Sequence, residues 1–165
     1  MNHISNWLKK ENIHLHLYAE SELETIWTML DLAAQNPVVL DTKTLARSIY
    51  DNEMVRSSHR GCSGVTFYSL TNAVSRPLML VGRFEKGIGY FSKENSPIDL
   101  AVLLAAPEKY DRELQNTIIC IRDILCNAAF MTTIRETNNP DKIYRHFLHH
   151  CASISITEKL NEDAV

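Results

Sequence analysis

The stretch IDLAVLLA at residues 98–105 decides how this chain folds. Every residue in it is apolar except Asp99, so both sides of the segment are apolar. Because successive side chains of a strand point to opposite faces of its sheet, a strand that is apolar on both sides needs cover on both faces. The stretch therefore predicts an interior strand with helices packed on both faces of the sheet.

Further strand patterns lie on the N-terminal side of this segment. Residues 13–18 (IHLHLY) alternate with a period of two, which is typical of a half-buried strand. All five glycines lie between Gly61 and Gly89. That region predicts short strands at residues 64–69 and 76–84, followed by a loop at 85–96.

Helical periodicity occurs on both sides of the strand region. Ser21 stands three residues before Glu24, a capping-box pattern that opens a helix. The apolar residues on the predicted inner face of that helix include Leu23, Ile26, Trp27 and Leu30. Asp41 is a candidate cap for a second helix, and three more helical patterns follow at residues 110–128, 130–136 and after Asn139. This order of elements predicts an α/β or α+β sandwich.

Composition limits the classes of protein to which the chain can belong. It has 165 residues, of which 45% are hydrophobic and 22% charged, and a formal charge of −3, as expected for one globular domain. Negative charge without a lysine or arginine run argues against binding nucleic acid through phosphate contacts. The longest apolar stretch, residues 100–107, is too short to cross a bilayer, and residues 1–11 lack a signal-peptide core. We expect a cytoplasmic protein that neither binds nucleic acid nor inserts into a membrane.

Signatures of cofactor and metal sites are weak. Neither GxGxxG nor GxxxxGK[ST] occurs. His146, His149, His150 and Cys151 place metal-ligating atoms on one helix end, but adjacent histidines on a helix point about 100° apart. A solvated helix terminus is the favoured interpretation, and we predict neither a metal ion nor a cofactor.

Three segments carry a resemblance to a known family: GRF at residues 82–84, GIGYF at 87–91 and PIDLAVLLAAPE at 97–108. They resemble the type-2 enzyme IIA domain of the bacterial phosphotransferase system, the mannitol, fructose and nitrogen-regulatory branch. The resemblance extends over residues 4–148. It implies an α/β fold, a three-layer α/β/α sandwich around a mixed five-stranded sheet. We expect this domain at residues 1–148 and a polar C-terminal tail at residues 149–165.

The resemblance also implies a phosphoryl relay, in which a histidine takes phosphate from the phosphocarrier protein HPr and passes it on. In the family this histidine follows a proline in a Gly-Val-Ala-Ile-Pro-His type of strand end. The matching run here is GVTFYS at residues 64–69, which puts Ser69 at the acceptor position and Tyr68 at the proline position. Serine needs a base to accept phosphate, and its phosphoester has a low transfer potential, so we expect Ser69 to be inactive.

Other positions of the family's site also differ in this chain. The family's Arg-Glu pair corresponds to Asn52 and Glu53, and a second histidine position falls at Glu113, whereas Ser57-Ser58 matches the family's Ser-Thr. Losing a histidine and an arginine while gaining a carboxylate is unfavourable for a phosphate site. The pocket implied by the resemblance comprises Ser69 with Asn52, Ser57, Ser58, His59, Arg60, Tyr68, Arg83 and Glu113.

Three functions therefore remain open. The favoured one is a regulatory or interaction domain, a pseudo-enzyme in signalling that binds a protein partner such as an HPr-like protein or a regulatory target. The second is an active phosphocarrier whose acceptor is displaced to His59. The third is a module that binds a small anion or metabolite in the old cleft, which would be favoured if Arg56, Arg60 and Arg83 converge there. Neither the partner nor the oligomeric state follows from the sequence.

Overall fold

A computed structural model describes residues 3–55, 63–88 and 98–162 of the chain. The strands are β1 (Leu8–Leu17), β2 (Gly64–Leu70), β3 (Leu78–Ile88) and β4 (Ile98–Ala106). The helices are α1 (Glu22–Ala34), α2 (Thr42–Val55), α3 (Asp111–Leu125), α4 (Ala128–Glu136) and α5 (Pro140–Glu162). Short 3-10 turns occupy His3–Asn6 and Glu108–Tyr110.

The strands form one mixed sheet in the order β1-β3-β4-β2. β1 runs parallel to β3 and β2 parallel to β4, whereas β3 and β4 are antiparallel. The α/β fold is confirmed, but the expected count of five strands is wrong, since the described residues contain four. The physical reason is that the chain contains four apolar strand patterns, and the fifth strand was implied by the family resemblance alone.

β4 lies inside the sheet and is covered on both faces, as its sequence predicts. Leu100, Val102 and Leu104 pack with α3, α4 and α5 in one apolar cluster. Ala101 and Leu103 pack with α1 and α2 in a second cluster on the opposite face. Each of these five side chains is at most 1% exposed. The alternation of β4 thus joins two separate halves of the core.

The buried face of α1 differs from the predicted one. Ile26 and Leu30 are buried, but Leu23 is 48% and Trp27 51% exposed. The cause is Met29, whose sulfur packs over the bare backbone of Gly82 in β3, where a Cβ would approach it to 2.6 Å. With about 100° between successive helical residues, Trp27 lies roughly 160° and Leu23 roughly 120° from Met29, so both face outwards.

Local capping signals are confirmed at the helix starts. The Ser21 hydroxyl accepts the Glu24 backbone N–H at 3.1 Å, and the Asp41 carboxylate accepts that of Thr44 at 3.1 Å. Asn139 accepts the backbone N–H of Asp141 at 2.9 Å at the start of α5. These side chains satisfy N–H groups that have no partner within the helix itself.

α5 continues to Glu162, beyond residue 148, where the sequence places the end of the domain. The division into a domain at residues 1–148 and a tail at 149–165 stays a prediction. Among the described helices, no single one is long and apolar enough to cross a membrane. One bent pair in the described part of the chain, Glu108–Leu125 and Ala128–Glu136, reaches that length and composition together, across a 79° bend.

Candidate functional site

The predicted acceptor position lies near the C-terminal end of β2. Ser69 pairs with Ala105 of the parallel strand β4, so both strands end at the same edge of the sheet. The Ser69 side chain is fully buried and faces α2. Its hydroxyl forms a short hydrogen bond with the Ser48 hydroxyl. Ser69 is therefore enclosed between β2 and α2.

α2 contributes a second contact one turn further along. Ser48 and Asn52 are four residues apart and thus lie on the same helix face. The Asn52 Nδ2 donates a hydrogen bond of 2.7 Å to the Tyr68 carbonyl. Ser48 did not figure in the predicted pocket, although its i, i+4 relation to Asn52 on the inner side of the helix was a usable signal.

Tyr68 points to the other face of the sheet from Ser69. Its half-buried ring packs with the apolar cluster of α3, α4 and α5, as the strand's period of two requires. The ring therefore fills space on one face, while the Tyr68 carbonyl accepts the hydrogen bond from α2.

A carboxyl pair stands next to Asn52. Burial raises the pKa of Glu53 to about 7. A hydrogen bond to Glu22 at the start of α1, and the negative charge of Glu22, raise it in the same direction. A proton shared between two carboxyl groups explains how they remain in contact near neutral pH. At higher pH, Glu53 loses this proton and the neighbourhood of Asn52 becomes less favourable for an anion.

Arg83 lies away from Ser69. It pairs with Leu100 of β4, whereas Ser69 pairs with Ala105, so five positions of β4, roughly 17 Å, separate their levels. Its guanidinium bonds to the carbonyls of Ile134 and Thr137 on the α3–α5 face. The prediction that Arg83 belongs to the Ser69 pocket is not met, because the antiparallel pairing of β3 with β4 carries it to the opposite end of the sheet.

The remaining predicted pocket residues divide into two groups. Glu113 is exposed in the first turn of α3, and its backbone carbonyl accepts the Thr117 hydroxyl at 2.8 Å. It makes no hydrogen bond or ion pair to Ser69 in the described structure. Four further predictions fall outside the described residues: Ser57, Ser58, His59 and Arg60.

The described histidine rings lie on other elements than Ser69. His14 and His16 belong to β1, three strand positions from β2, which is roughly 14 Å. His146 stacks on Phe130 with ring centres 4.6 Å apart, and burial lowers the pKa of His146. Within residues 3–55, 63–88 and 98–162, no group of three or more metal-ligating side chains is placed to hold an ion.

The chemistry available to Ser69 follows from these contacts. A serine nucleophile needs a base that takes its proton and a path to the donor phosphate. The hydrogen-bond partner of Ser69 among the described residues is a neutral hydroxyl, and its side chain is 0% exposed. In this conformation, Ser69 is a buried packing residue that joins β2 to α2.

The sequence as a whole matches a known family. The profile of the phosphoenolpyruvate-dependent sugar phosphotransferase system, EIIA 2, aligns with residues 6–150. The chain belongs to this family. The family resemblance of the sequence is thereby confirmed. None of the curated protein sequences compared with the chain matches it.

Solved structures of enzyme IIA proteins share the fold at low sequence identity. The nitrogen regulatory protein IIA-Ntr from Neisseria meningitidis is 13% identical, with a TM-score of 0.78 over 87% of this chain and 98% of that one. IIA mannitol from Escherichia coli is 17% identical, with a TM-score of 0.70 over 85% and 98%. The mannitol enzyme IIA in its complex with phosphorylated enzyme IIB, also from Escherichia coli, is 17% identical in sequence. Its TM-score is 0.70, and the match covers 85% of this chain and 96% of that one.

Proposed function

We propose that this enzyme IIA family member is a regulatory or interaction domain that has lost phosphoryl relay. The carrying observation is the state of Ser69, which is buried and hydrogen-bonded to the Ser48 hydroxyl. A relay residue must meet the donor's phosphate, lose a proton and later release the phosphoryl group. Burial opposes the first step, a neutral partner opposes the second, and the stability of a phosphoserine ester opposes the third.

The groups around Ser69 support the same proposal. Asn52, at the position of the family's arginine, is neutral and donates to the Tyr68 carbonyl. A neutral amide does not compensate phosphate charge as a guanidinium would. Glu53 adds negative charge as it ionises. The contact of α2 with β2 therefore consists of neutral hydrogen-bonding groups, and its surroundings are unfavourable for a dianion.

We further propose that the domain acts by binding a protein partner through the edge of the sheet where β2 and β4 end. The solved complex of mannitol enzyme IIA with phosphorylated enzyme IIB supports this, because it shows an enzyme IIA of this fold bound to another protein. An HPr-like protein or a regulatory target is the proposed partner. The proposed place of action is the bacterial cytoplasm.

The relay is tested by incubating the full chain with phosphoenolpyruvate, enzyme I and HPr, followed by intact-mass measurement. We expect no gain of a phosphoryl group, while mannitol enzyme IIA from Escherichia coli, treated in parallel, gains one. Acid-labile phosphate on the unmodified chain, abolished by His59→Ala, would replace this proposal with a carrier whose acceptor is His59. Acid-labile phosphate that survives His59→Ala would refute the loss of relay outright.

Docking is tested separately by calorimetric titration with HPr. We expect binding to the unmodified chain and to a triple variant carrying Ser69→His, Tyr68→Pro and Asn52→Arg, because these changes rebuild the acceptor without removing the surface. Phosphorylation of the triple variant alone would show that the acceptor residues are what the domain lacks. Absence of binding in both proteins would exclude an HPr-like partner.

A further inference from the structure

A cleft of about 330 Å³ opens at the other end of the sheet from Ser69. It lies where β1 and β3 end and β4 begins, and α4 and the segment after it close one side. The charged and polar side chains that line it are His16, Arg83, Glu85, Asp99, Arg135 and Asn138. Its volume falls at the lower end of the range for small-molecule sites.

Arg83 is the unusual group in this cleft. It is 7% exposed, and its described partners are all neutral: the carbonyls of Ile134 and Thr137 at 2.9 and 2.5 Å and the Asn138 side-chain oxygen at 2.5 Å. A buried cation normally has a carboxylate partner, because desolvating an unpaired charge is costly. The Nε–H and one Nη2–H make no hydrogen bond to any described residue, and these donors suit an incoming carboxylate.

Arg135 and Asp99 form an ion pair with each other in the cleft. The Arg135 Nε and Nη2 donate to the two Asp99 oxygens at 2.5 and 2.9 Å. This bidentate contact raises the pKa of the Arg135 guanidinium and uses both oxygens of Asp99. The pair therefore forms a neutral wall of the cleft, and Asp99 has no oxygen left over to pair with Arg83.

Glu85 carries the opposite charge and lies two positions after Arg83 on β3. The two backbone positions are roughly 7 Å apart along the strand. One of its oxygens contacts the His16 Nδ1 at 2.6 Å, and the other oxygen has no described partner. His16 reaches Glu85 because its backbone is left-handed, with φ at 59°, next to a register shift in β1. The shift reverses the strand's faces, since Leu15 packs with the α3–α5 cluster and Leu17 with the α1–α2 cluster. A strained histidine thus holds Glu85 in place.

We propose that this cleft binds a free α-amino acid as its zwitterion. The carboxylate takes the open donors of Arg83, and the ammonium group donates to Glu85. The short N–C–C backbone of an amino acid, with a hydrogen bond of about 2.9 Å at each end, has a length of the same order as the roughly 7 Å of strand between Arg83 and Glu85. The polar walls select a molecule with both charges over a simple anion, which Glu85 repels. This proposal is independent of the one for Ser69.

The test is thermal unfolding of the full chain with each of the L-amino acids at millimolar concentration, followed by calorimetry on those that act. We expect at least one to raise the melting temperature saturably. Its N-acetyl derivative and acetate should have no such effect. Glu85→Gln should weaken binding by about tenfold or more, the loss of a charge-assisted hydrogen bond, and Arg83→Gln should abolish it.

Arg122→Gln is the matched control, because Arg122 is exposed on α3 and does not line the cleft. It should bind as the unmodified chain does. If Arg83→Gln does not fold, Glu85→Gln decides by itself, since Glu85 is exposed at the surface. The proposal is overturned if no amino acid binds, if the N-acetyl derivative binds equally well, or if Glu85→Gln leaves the affinity unchanged.

Discussion

Replacing Glu53 with glutamine is expected to stabilise the protein at alkaline pH and to have little effect near pH 4.5. Burial and the neighbouring Glu22 raise the pKa of Glu53 from 4.5 to about 7. Because the folded-state pKa lies above the unfolded value, the folded protein holds a proton that the unfolded chain has released. The stability that this proton contributes is complete below about pH 4.5 and is lost as the pH rises through about 7.

The size of the effect follows from the same two values. A change from 4.5 to about 7 corresponds to about 3 kcal/mol for a fully buried group. Glu53 is only half-buried, so solvent screening reduces the expected contribution to about 1 kcal/mol. Glu53→Gln keeps an N–H donor for Glu22 and removes the repulsion between the carboxylates. The free energy of unfolding of the variant should therefore be about 1 kcal/mol larger than that of the unmodified protein at pH 8.

The assay is urea unfolding followed by circular dichroism at several pH values between about 4.5 and 8. Asp31→Asn is the control, because Asp31 is exposed on the same helix as Glu22 and its replacement changes the net charge equally. The free energy of unfolding of Asp31→Asn should differ from that of the unmodified protein by an amount that does not rise with pH. A Glu53→Gln effect that is equal at every pH, or destabilising at pH 8, would refute the shared proton.

Three further outcomes are expected from the packing. Leu103→Ala should lower the free energy of unfolding by about 3 kcal/mol in urea denaturation, and Leu103→Asp by more, whereas Leu23→Ala on the exposed side of α1 should cost under about 1 kcal/mol. Asn127→Ala should lower the free energy of unfolding by about 1 kcal/mol in the same assay, because the Asn127 side-chain oxygen accepts the Phe130 backbone N–H at 2.9 Å and so caps α4. An unchanged free energy of unfolding would contradict the cap. The reduced thiols of Cys120 and Cys151 have sulfurs 2.9 Å apart, so diamide should join them in a disulfide detectable by non-reducing peptide mass mapping. Cys120→Ser should abolish that cross-link, and failure of the unmodified chain to form it would contradict the contact.

Features that depend on neighbours in sequence were predictable. The interior position of β4 follows from its continuous apolar run, and the helix starts at Ser21 and Asp41 follow from side chains that bond to N–H groups three residues away. The family follows from residues 97–108 and their surroundings. Each of these signals is complete within one segment, because strand alternation and helix capping involve only the segment itself.

Features that depend on how segments meet were not predictable in the same way. Arg83 was assigned to the Ser69 pocket, but the register of β3 against β4 carries it to the other end of the sheet. Trp27 shares the helical period of buried residues, yet the contact of Met29 with Gly82 turns it towards solvent. Neither the register nor the rotation of α1 is encoded in one segment alone.

The local sequence thus specified an α/β domain of the enzyme IIA type. The tertiary structure decided that Ser69 is enclosed by Ser48 and that a second, charged cleft forms around Arg83 and Glu85. The physical reason is that periodicity and capping arise from interactions across a few residues. A hydrogen bond between a helix side chain and a strand side chain exists only after the helix and the strand have packed together. A cleft between three strands and a helix likewise forms only when all four elements are in place.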